Sequence, residues 1–293
     1  MSDYTSMSAA DLGRGIGAGQ IDPVELATAF LDAAEAHEHG SRIYARLTRD
    51  RALAEAAAAR ERAGLALRRH PLDGVPVSWQ DLFDTGGIET CAGSDLLKGR
   101  VPARDARVLQ TATLNGLVCL GKTHMSELAF SGLGLNPVTE TPPCVNDHAA
   151  VPGGSSSGAA TSVAFGLAPV GIGSDTGGSV RIPSAWNDLV GLKTTSGRLS
   201  LDGVVPLAAK FDTVGPLCRT VEDAALTLSA LEGRPAPDLR GASLRGRRLA
   251  VLQTIALDDL HNGGDSCGAA SPATQNGGTG LEGPIPPSVS KYV

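Results

Sequence analysis

Two loops rich in glycine and serine carry the residues whose types and spacing could do chemistry. The first reads Gly-Gly-Ser-Ser-Ser-Gly-Ala at 153–159, and the second reads Gly-Ser-Asp-Thr-Gly-Gly-Ser-Val-Arg-Ile-Pro at 173–183. Each loop adjoins the end of a predicted helix or strand, where backbone N–H groups are free to bind a ligand. Glycine permits the backbone angles that aim several consecutive N–H groups at one point, as a developing oxyanion requires. A serine at the end of such a loop is a candidate acyl-transfer nucleophile.

The pairing of these two loops is characteristic of one enzyme family. Residues 153–200 resemble the amidase signature family, the Ser–Ser–Lys amide hydrolases, and the resemblance covers roughly residues 5–255. It implies the amidase-signature fold, one α/β domain with a mixed β-sheet between layers of helices. Shorter segments that support it are Gly-Val-Pro-Val at 74–77, Gly-Lys-Thr at 121–123, Glu-Leu-Ala at 127–129 and Gly-Leu-Lys-Thr at 191–194.

The resemblance assigns roles to residues of both loops. Ser179 corresponds to the nucleophile. Ser155 corresponds to the bridging serine, which the family holds on a cis peptide and which passes protons between lysine and nucleophile. The N–H groups of Thr176, Gly177, Gly178 and Ser179 correspond to the oxyanion hole. The implied substrate is a small-molecule amide, and the resemblance implies no metal and no organic cofactor.

The place of the family's lysine is the main departure from this pattern. The segment after Gly-Val-Pro-Val reads Ser-Trp-Gln-Asp-Leu-Phe at 78–83, so Gln80 stands where the family has lysine. A neutral, desolvated lysine can accept the serine proton and return it to the leaving amine, whereas a carboxamide has no useful basicity near neutral pH. Gln80 can still hydrogen-bond to Ser155. Lys122 and Lys193 are the candidates for a substitute base, although their matching family positions are structural.

Charge and cysteine usage limit the classes of partner. The 293 residues carry 25 Lys+Arg and 31 Asp+Glu, which gives a formal net charge of −6. Nucleic acids and anionic membranes demand a basic face, so we expect no direct nucleic-acid binding. The sequence has no run of about 18 apolar residues, so we expect no membrane insertion. The five cysteines include no C-x-x-C pair, which favours reduced thiols and a cytoplasmic location over a disulfide framework or a zinc site.

Alternating helices and short apolar strands must position the two loops, and they imply an α/β domain with a buried sheet. The first long helix should start at Asp22 and stop at Gly40. On that helix His37 and His39 would point to different faces, because they are two residues apart. Further helices are predicted at about 50–69, 105–114, 158–165 and 220–233. Strands are predicted at about 75–79, 117–120, 169–173, 190–193 and 248–252.

The end of the chain differs in character from the rest. The resemblance fades after residue 259, before the further helices and strands that would complete the sheet and wall the substrate pocket. We therefore predict an incomplete amidase-signature domain at 1–260 and a disordered Gly/Pro-rich tail at 261–293. An apolar face left uncovered by the missing elements would favour association, so a homo-oligomer stays open.

Three functions remain open at this point. The leading one is an amidase that hydrolyses the C–N bond of linear amides other than peptides through an acyl-Ser179 intermediate, impaired by Gln80 and by truncation. The first alternative is the A subunit of the glutamyl-tRNA(Gln) amidotransferase, which releases ammonia from glutamine, although the segment at 195–200 fits the general amidases better. The second alternative is a catalytically inactive binding protein or a degenerate gene product.

Overall fold

The computed structural model of the protein describes residues 4–248. The chain divides into two compact units, Met1–Pro237 and Asp238–Val293. All helices and strands of the described residues lie in the first unit. In the second unit, the Arg240 guanidinium donates hydrogen bonds to the Asp238 carboxylate at 2.9 and 2.8 Å.

Some predictions fall on residues outside the described range. They are the domain boundary at residue 260, the tail at 261–293 and all but the first residue of the strand at 248–252. These stay predictions. Among the described residues, no helix combines the length and the apolar character needed to cross a membrane.

The helices begin where caps satisfy their first N–H groups. The Asp22 carboxylate accepts hydrogen bonds from the N–H groups of Val24 and Glu25, and the Thr220 hydroxyl accepts one from the N–H of Asp223. Such caps are worth about 0.5–2 kcal/mol each. The α-helices of the described residues are α1 (Ala9–Gly17), α2 (Pro23–Ala36), α3 (Gly40–Ile43), α4 (Arg49–Gly64), α5 (Arg107–Leu114), α6 (Ser157–Ala164), α7 (Arg181–Trp186) and α8 (Val221–Glu232).

One mixed sheet of six strands organises the first unit. The strand order is β1-β3-β2-β4-β6-β5. Strand β2 runs parallel to both β3 and β4, whereas β1, β6 and β5 run antiparallel to their neighbours. The expected mixed α/β fold is therefore confirmed. The strands are β1 (Tyr44–Leu47), β2 (Pro76–Gln80), β3 (Val118–Thr123), β4 (Val170–Asp175), β5 (Val190–Gly191) and β6 (Thr213–Cys218).

Strands β1 and β6 are not predicted by the sequence. The central residues of β6 are Gly215 and Pro216, which are depleted in strands and hide the signal. This segment forms a strand because it pairs with β4 over six residue pairs. Strand β1 is only four residues long and contains Arg46, so it shows no apolar alternation.

Helices cover both faces of the sheet. Val77 and Trp79 of β2 belong to the main core, together with apolar residues of α2, α4, α5 and α8. Ser78 lies between them in sequence and therefore faces the other side, where its hydroxyl hydrogen-bonds to Ser162 of α6 at 2.7 Å. The sheet thus lies between two layers of helices, as the resemblance implies.

Two glycines of β4 allow α6 and the loop before it to lie directly on the sheet. A Cβ at Gly171 would clash with the carbonyl oxygen of Ala159 in α6. A Cβ at Gly173 would clash with the Ser156 hydroxyl and lie 3.2 Å from Gln80 Oε1. Because these two glycines have no side chain, the first serine loop can lie against the end of β2.

Candidate active site

The two serine loops converge at the carboxyl ends of the parallel strands β2 and β4. Trp79 pairs in register with Ile172, so Gln80, the last residue of β2, lies beside the end of β4, where the second loop begins. The first loop leads into α6, which packs on β4. The Ser156 N–H donates to the carbonyl oxygen of Ser179 at 3.2 Å and joins the loops directly. Ligand sites of open α/β sheets gather at this end of the strands.

Gln80 is fully buried and hydrogen-bonded at both ends of its carboxamide. Its Oε1 accepts hydrogen bonds from the Ser174 N–H at 2.8 Å and from the Ser156 hydroxyl at 2.9 Å. Because a backbone N–H only donates, the Ser174 contact fixes the position of Oε1 and turns Nε2 the other way. Nε2 then donates to Ser155 Oγ at 3.2 Å. We call Gln80, Ser155, Ser156 and Ser174 the Gln80 cluster.

The two serines predicted to do chemistry differ in exposure. Ser155 is 0% exposed, and its peptide bond with Gly154 is cis. Ser179 is 8% exposed. A nucleophile has to meet its substrate, so the exposure of Ser179 suits the nucleophile and the burial of Ser155 suits an internal proton carrier.

The four predicted oxyanion donors are not equivalent. The Gly178 N–H donates to Asp175 Oδ1 at 2.8 Å. The N–H groups of Thr176, Gly177 and Ser179 have no acceptor among residues 4–248. Three donors of this loop are therefore available to a ligand, and the fourth is engaged by a carboxylate.

The second loop is held from both sides by carboxylates. Asp175 accepts hydrogen bonds from the Val180 N–H at 3.2 Å and from two nitrogens of the Arg181 guanidinium at 3.0 Å each. Burial by itself would raise the pKa of Asp175, but these hydrogen bonds outweigh it and lower that pKa below its ordinary value. The Thr176 hydroxyl donates to Asp212 Oδ1 at 2.5 Å. Both carboxylates fix the shape of the turn that carries Ser179.

The two lysines considered as substitute bases have other partners. The Lys122 ammonium donates to Asp81 Oδ1 at 2.9 Å, and burial lowers the pKa of Lys122 although Asp81 opposes this. Lys122 pairs in register with Trp79, so its side chain leaves the sheet on the face opposite to Gln80. The Lys193 ammonium donates to the next residue's carbonyl oxygen at 2.8 Å. Neither lysine bonds to the Gln80 cluster in the described part of the chain.

Comparison with known proteins decides the family. The family model described as Amidase matches residues 25–250, well over half of the chain. The chain belongs to the amidase family. Both serine loops and Gln80 fall inside the matched range.

Relatives of this amidase-family chain carry two kinds of name. The glutamyl-tRNA(Gln) amidotransferase A subunit of Anaeromyxobacter dehalogenans is 42% identical over 235 residues, which cover 80% of this chain and 47% of the relative. The X-ray structure of the peptide amidase of Stenotrophomonas maltophilia superposes with a TM-score of 0.73 at 36% identity, over 80% of this chain and 49% of that one. The glutamyl-tRNA(Gln) amidotransferase A subunit of Thermotoga maritima gives 0.66 at 25% identity, over 78% and 47%. The chain spans about half the length of the curated relatives it matches.

Parts of this amidase-family site leave little signal in the sequence. The Ser174 N–H is a backbone group, which any residue type except proline would supply at that position. Asp212 lies 36 residues from the threonine that it binds, and no local motif marks it. Ser156, to which the resemblance assigns no role, donates a hydrogen bond to Gln80. Gly173 is a further local sign of the cluster, since a Cβ at this position would clash with the Ser156 hydroxyl.

Proposed function

We propose that Ser179 attacks the carbonyl carbon of a linear carboxamide, releases the amine and forms an acyl-serine that water then hydrolyses. The observation that carries this proposal is the Gln80 cluster, because its hydrogen bonds tie the two serine loops together at the end of β2. The reaction requires Ser155 Oγ and Ser179 Oγ to come within hydrogen-bond reach of each other.

The proposed attack forms the bond between Ser179 Oγ and the carbonyl carbon and places negative charge on the carbonyl oxygen. The N–H groups of Thr176, Gly177 and Ser179 have no other acceptor in the described chain and would stabilise that charge. The Gly178 N–H would join them only after leaving Asp175. Collapse of the tetrahedral intermediate breaks the C–N bond, and the leaving nitrogen needs a proton at that moment.

Gln80 limits the proton transfers of this reaction. Its Nε2 is donor-only, so it cannot take the proton that passes from Ser179 through Ser155. Gln80 supplies none of the proposed oxyanion donors. We therefore propose an amidase whose hydrolysis of amides is slowed by about 10²–10⁴-fold, the usual value of positioned general acid–base catalysis.

Labelling by a fluorophosphonate probe tests the nucleophile without requiring a proton donor for the leaving group, because fluoride leaves as an anion. We expect covalent labelling of the full chain at Ser179, located by peptide mass spectrometry, and no labelling of Ser179→Ala. Ser196→Ala, which removes an exposed hydroxyl, is the matched control and should label normally. Labelling that survives Ser179→Ala, or a folded chain that never labels, would contradict the proposal and favour an inactive binding protein.

The second candidate is the glutaminase component of a glutamyl-tRNA(Gln) amidotransferase. The observation that favours it is the name shared by curated relatives at 35–42% identity. Glutamine is a carboxamide, so the same acyl-Ser179 chemistry would release its nitrogen as ammonia. Since the net charge is −6, we expect partner subunits rather than this chain to hold the tRNA.

Two measurements separate the candidates. Co-purification with partner subunits and glutaminase activity that depends on tRNA would support the amidotransferase component. Turnover of simple amides by the isolated chain, without partners, would support the amidase. A small-molecule amide substrate and a cytoplasmic location are part of both proposals.

A further inference from the structure

Three histidines meet at the end of α2, contrary to the expectation that two of them point apart on a helix. Helix α2 ends at Ala36, and His37 has an extended backbone with ψ of 135°, so the chain turns before it reaches His39. The rings of His37 and His39 have centroids 5.6 Å apart. His148 arrives from a distant loop, and Phe165 lies 5.2–5.6 Å from all three rings.

The separation of two ring nitrogens in this group matches a metal chelate. A hydrogen bond joins His39 Nε2 and His148 Nδ1 at 3.3 Å, and a metal ion would take the place of the shared proton. In tetrahedral zinc sites each imidazole nitrogen is about 2.0–2.1 Å from the metal, which places two such nitrogens about 3.3 Å apart. Glu38 Oε1 lies 3.8 Å from the same His39 Nε2, and the Glu38 side chain is 76% exposed and free to turn.

We propose that His39 and His148 chelate a divalent transition-metal cation, with zinc as the best match to the ligand set. The Glu38 carboxylate would turn to give a third ligand, and water would complete the tetrahedron. The described residues contain no ready-made group of three or more metal-binding side chains, so the site has two fixed ligands and one that is recruited. His37 is not a ligand, because its Nδ1 accepts the His39 N–H at 3.1 Å and the proton of the neutral ring is therefore on Nε2.

The proposed site has a structural role that goes beyond the proposed catalysis. His148 belongs to the loop that leads to the first serine loop. That loop is already tied to the α7 region, since the Val145 N–H donates to Asn187 Oδ1 at 3.0 Å and the Asn146 amide donates to the Trp186 carbonyl oxygen at 3.0 Å. A metal on His39 and His148 would add a link from this loop to the end of α2, far away in sequence.

Calorimetric titration of Zn²⁺ into the full chain, expressed without a polyhistidine tag, tests the site. We expect one Zn²⁺ bound in the parent that is lost, or at least about tenfold weaker, in His148→Ala, which changes an exposed loop residue. Glu38→Gln should weaken binding less, and the Zn²⁺-induced rise in Tm should disappear with His148→Ala. The matched control is His37→Asn, whose side-chain oxygen still accepts the His39 N–H.

Three outcomes would overturn the site. They are no Zn²⁺ binding by the folded parent, equal affinity in His148→Ala, and an equal loss in His37→Asn. The last would show that the ring cluster as a whole, rather than the His39–His148 pair, holds the ion. Because neither histidine belongs to the Gln80 cluster, each of these results is independent of fluorophosphonate labelling at Ser179.

Discussion

Replacing Gln80 with lysine should speed amide hydrolysis and lower the free energy of unfolding at the same time. Gln80 Oε1 accepts two hydrogen bonds, whereas a neutral amine has one lone pair and accepts one. The Ser156 hydroxyl has a second acceptor, the Ser174 carbonyl oxygen at 3.3 Å. The lone pair of a catalytic amine has to point at Ser155, so the Ser174 N–H is the donor that loses its partner. A buried donor without an acceptor costs about 1–3 kcal/mol, and we expect the free energy of unfolding of Gln80→Lys to fall by that amount.

The gain in rate depends on the protonation state of the new lysine. Burial lowers the pKa of Lys122 even though Asp81 lies 2.9 Å away. The partners of Gln80 are hydroxyls and a backbone N–H rather than a carboxylate, so a lysine at this position should be neutral more readily. It can then take the serine proton, a contribution of about 10²–10⁴-fold that corresponds to about 3–5 kcal/mol of barrier.

The assay compares an amide with the p-nitrophenyl ester of the same acid. Gln80→Lys should raise the amide rate more than the ester rate, because a poor amine leaving group needs the returned proton. Gln80→Met is the matched control, since it removes the acceptor without adding a base, and urea unfolding measures the stability of each variant. If Gln80→Lys leaves the amide rate unchanged while Ser179→Ala abolishes it, the chain already has another base and the reasoning about position 80 is wrong.

Two further predictions concern stability. Gly173→Ala should lower the free energy of unfolding, measured with urea, by about 1–3 kcal/mol, because the new Cβ would clash with the Ser156 hydroxyl. Gly64→Ala is the control and should not destabilise the protein, because a Cβ at that position meets nothing within 4 Å. An equal effect at both positions would refute the packing argument. Burial lowers the pKa of His70 to about 4, and its Nδ1, which accepts the Leu72 N–H at 3.0 Å, must stay unprotonated. The stability contributed by His70 is therefore fully present above the unfolded pKa of about 6.5 and is lost as the pH falls towards 4. His70→Gln should make the free energy of unfolding depend less on pH between about 6.5 and 4.

Local signals in the sequence account for the parts of the fold that local chemistry decides. Asp22 caps α2 and Thr220 caps α8 because a short polar side chain can reach the first free N–H groups. The sequence predicts the end of α2 at Gly40, but the helix ends at Ala36, since the chain leaves it at His37. Strand β6 is not predicted because its own residues have a low strand preference. Its pairing with β4, which the sequence does not reveal, outweighs that preference.

In the candidate site, too, the sequence predicts the features that depend on residue type and misses those that depend on contacts between distant residues. The glycine pattern around Ser155 and Ser179 predicts the two loops, because the backbone freedom of glycine and the hydroxyl of serine follow from the residue type alone. The direction of the Gln80 carboxamide is not predicted, because it is fixed by the Ser174 N–H from another strand. The contact of His39 with His148 joins residues 109 positions apart, which no local pattern reports.

The parallel pairing of β2 with β4 also sets the order of folding events. Ser78 lies opposite Gly171, and the long stretch between these residues includes strand β3 and the first serine loop. Contacts between such distant residues require a large loop to close first, which makes them slow to form. A partly folded chain in which β4 has not yet docked therefore has capped helices but no Gln80 cluster. Acquisition of probe reactivity at Ser179 during refolding should consequently lag behind the helical signal.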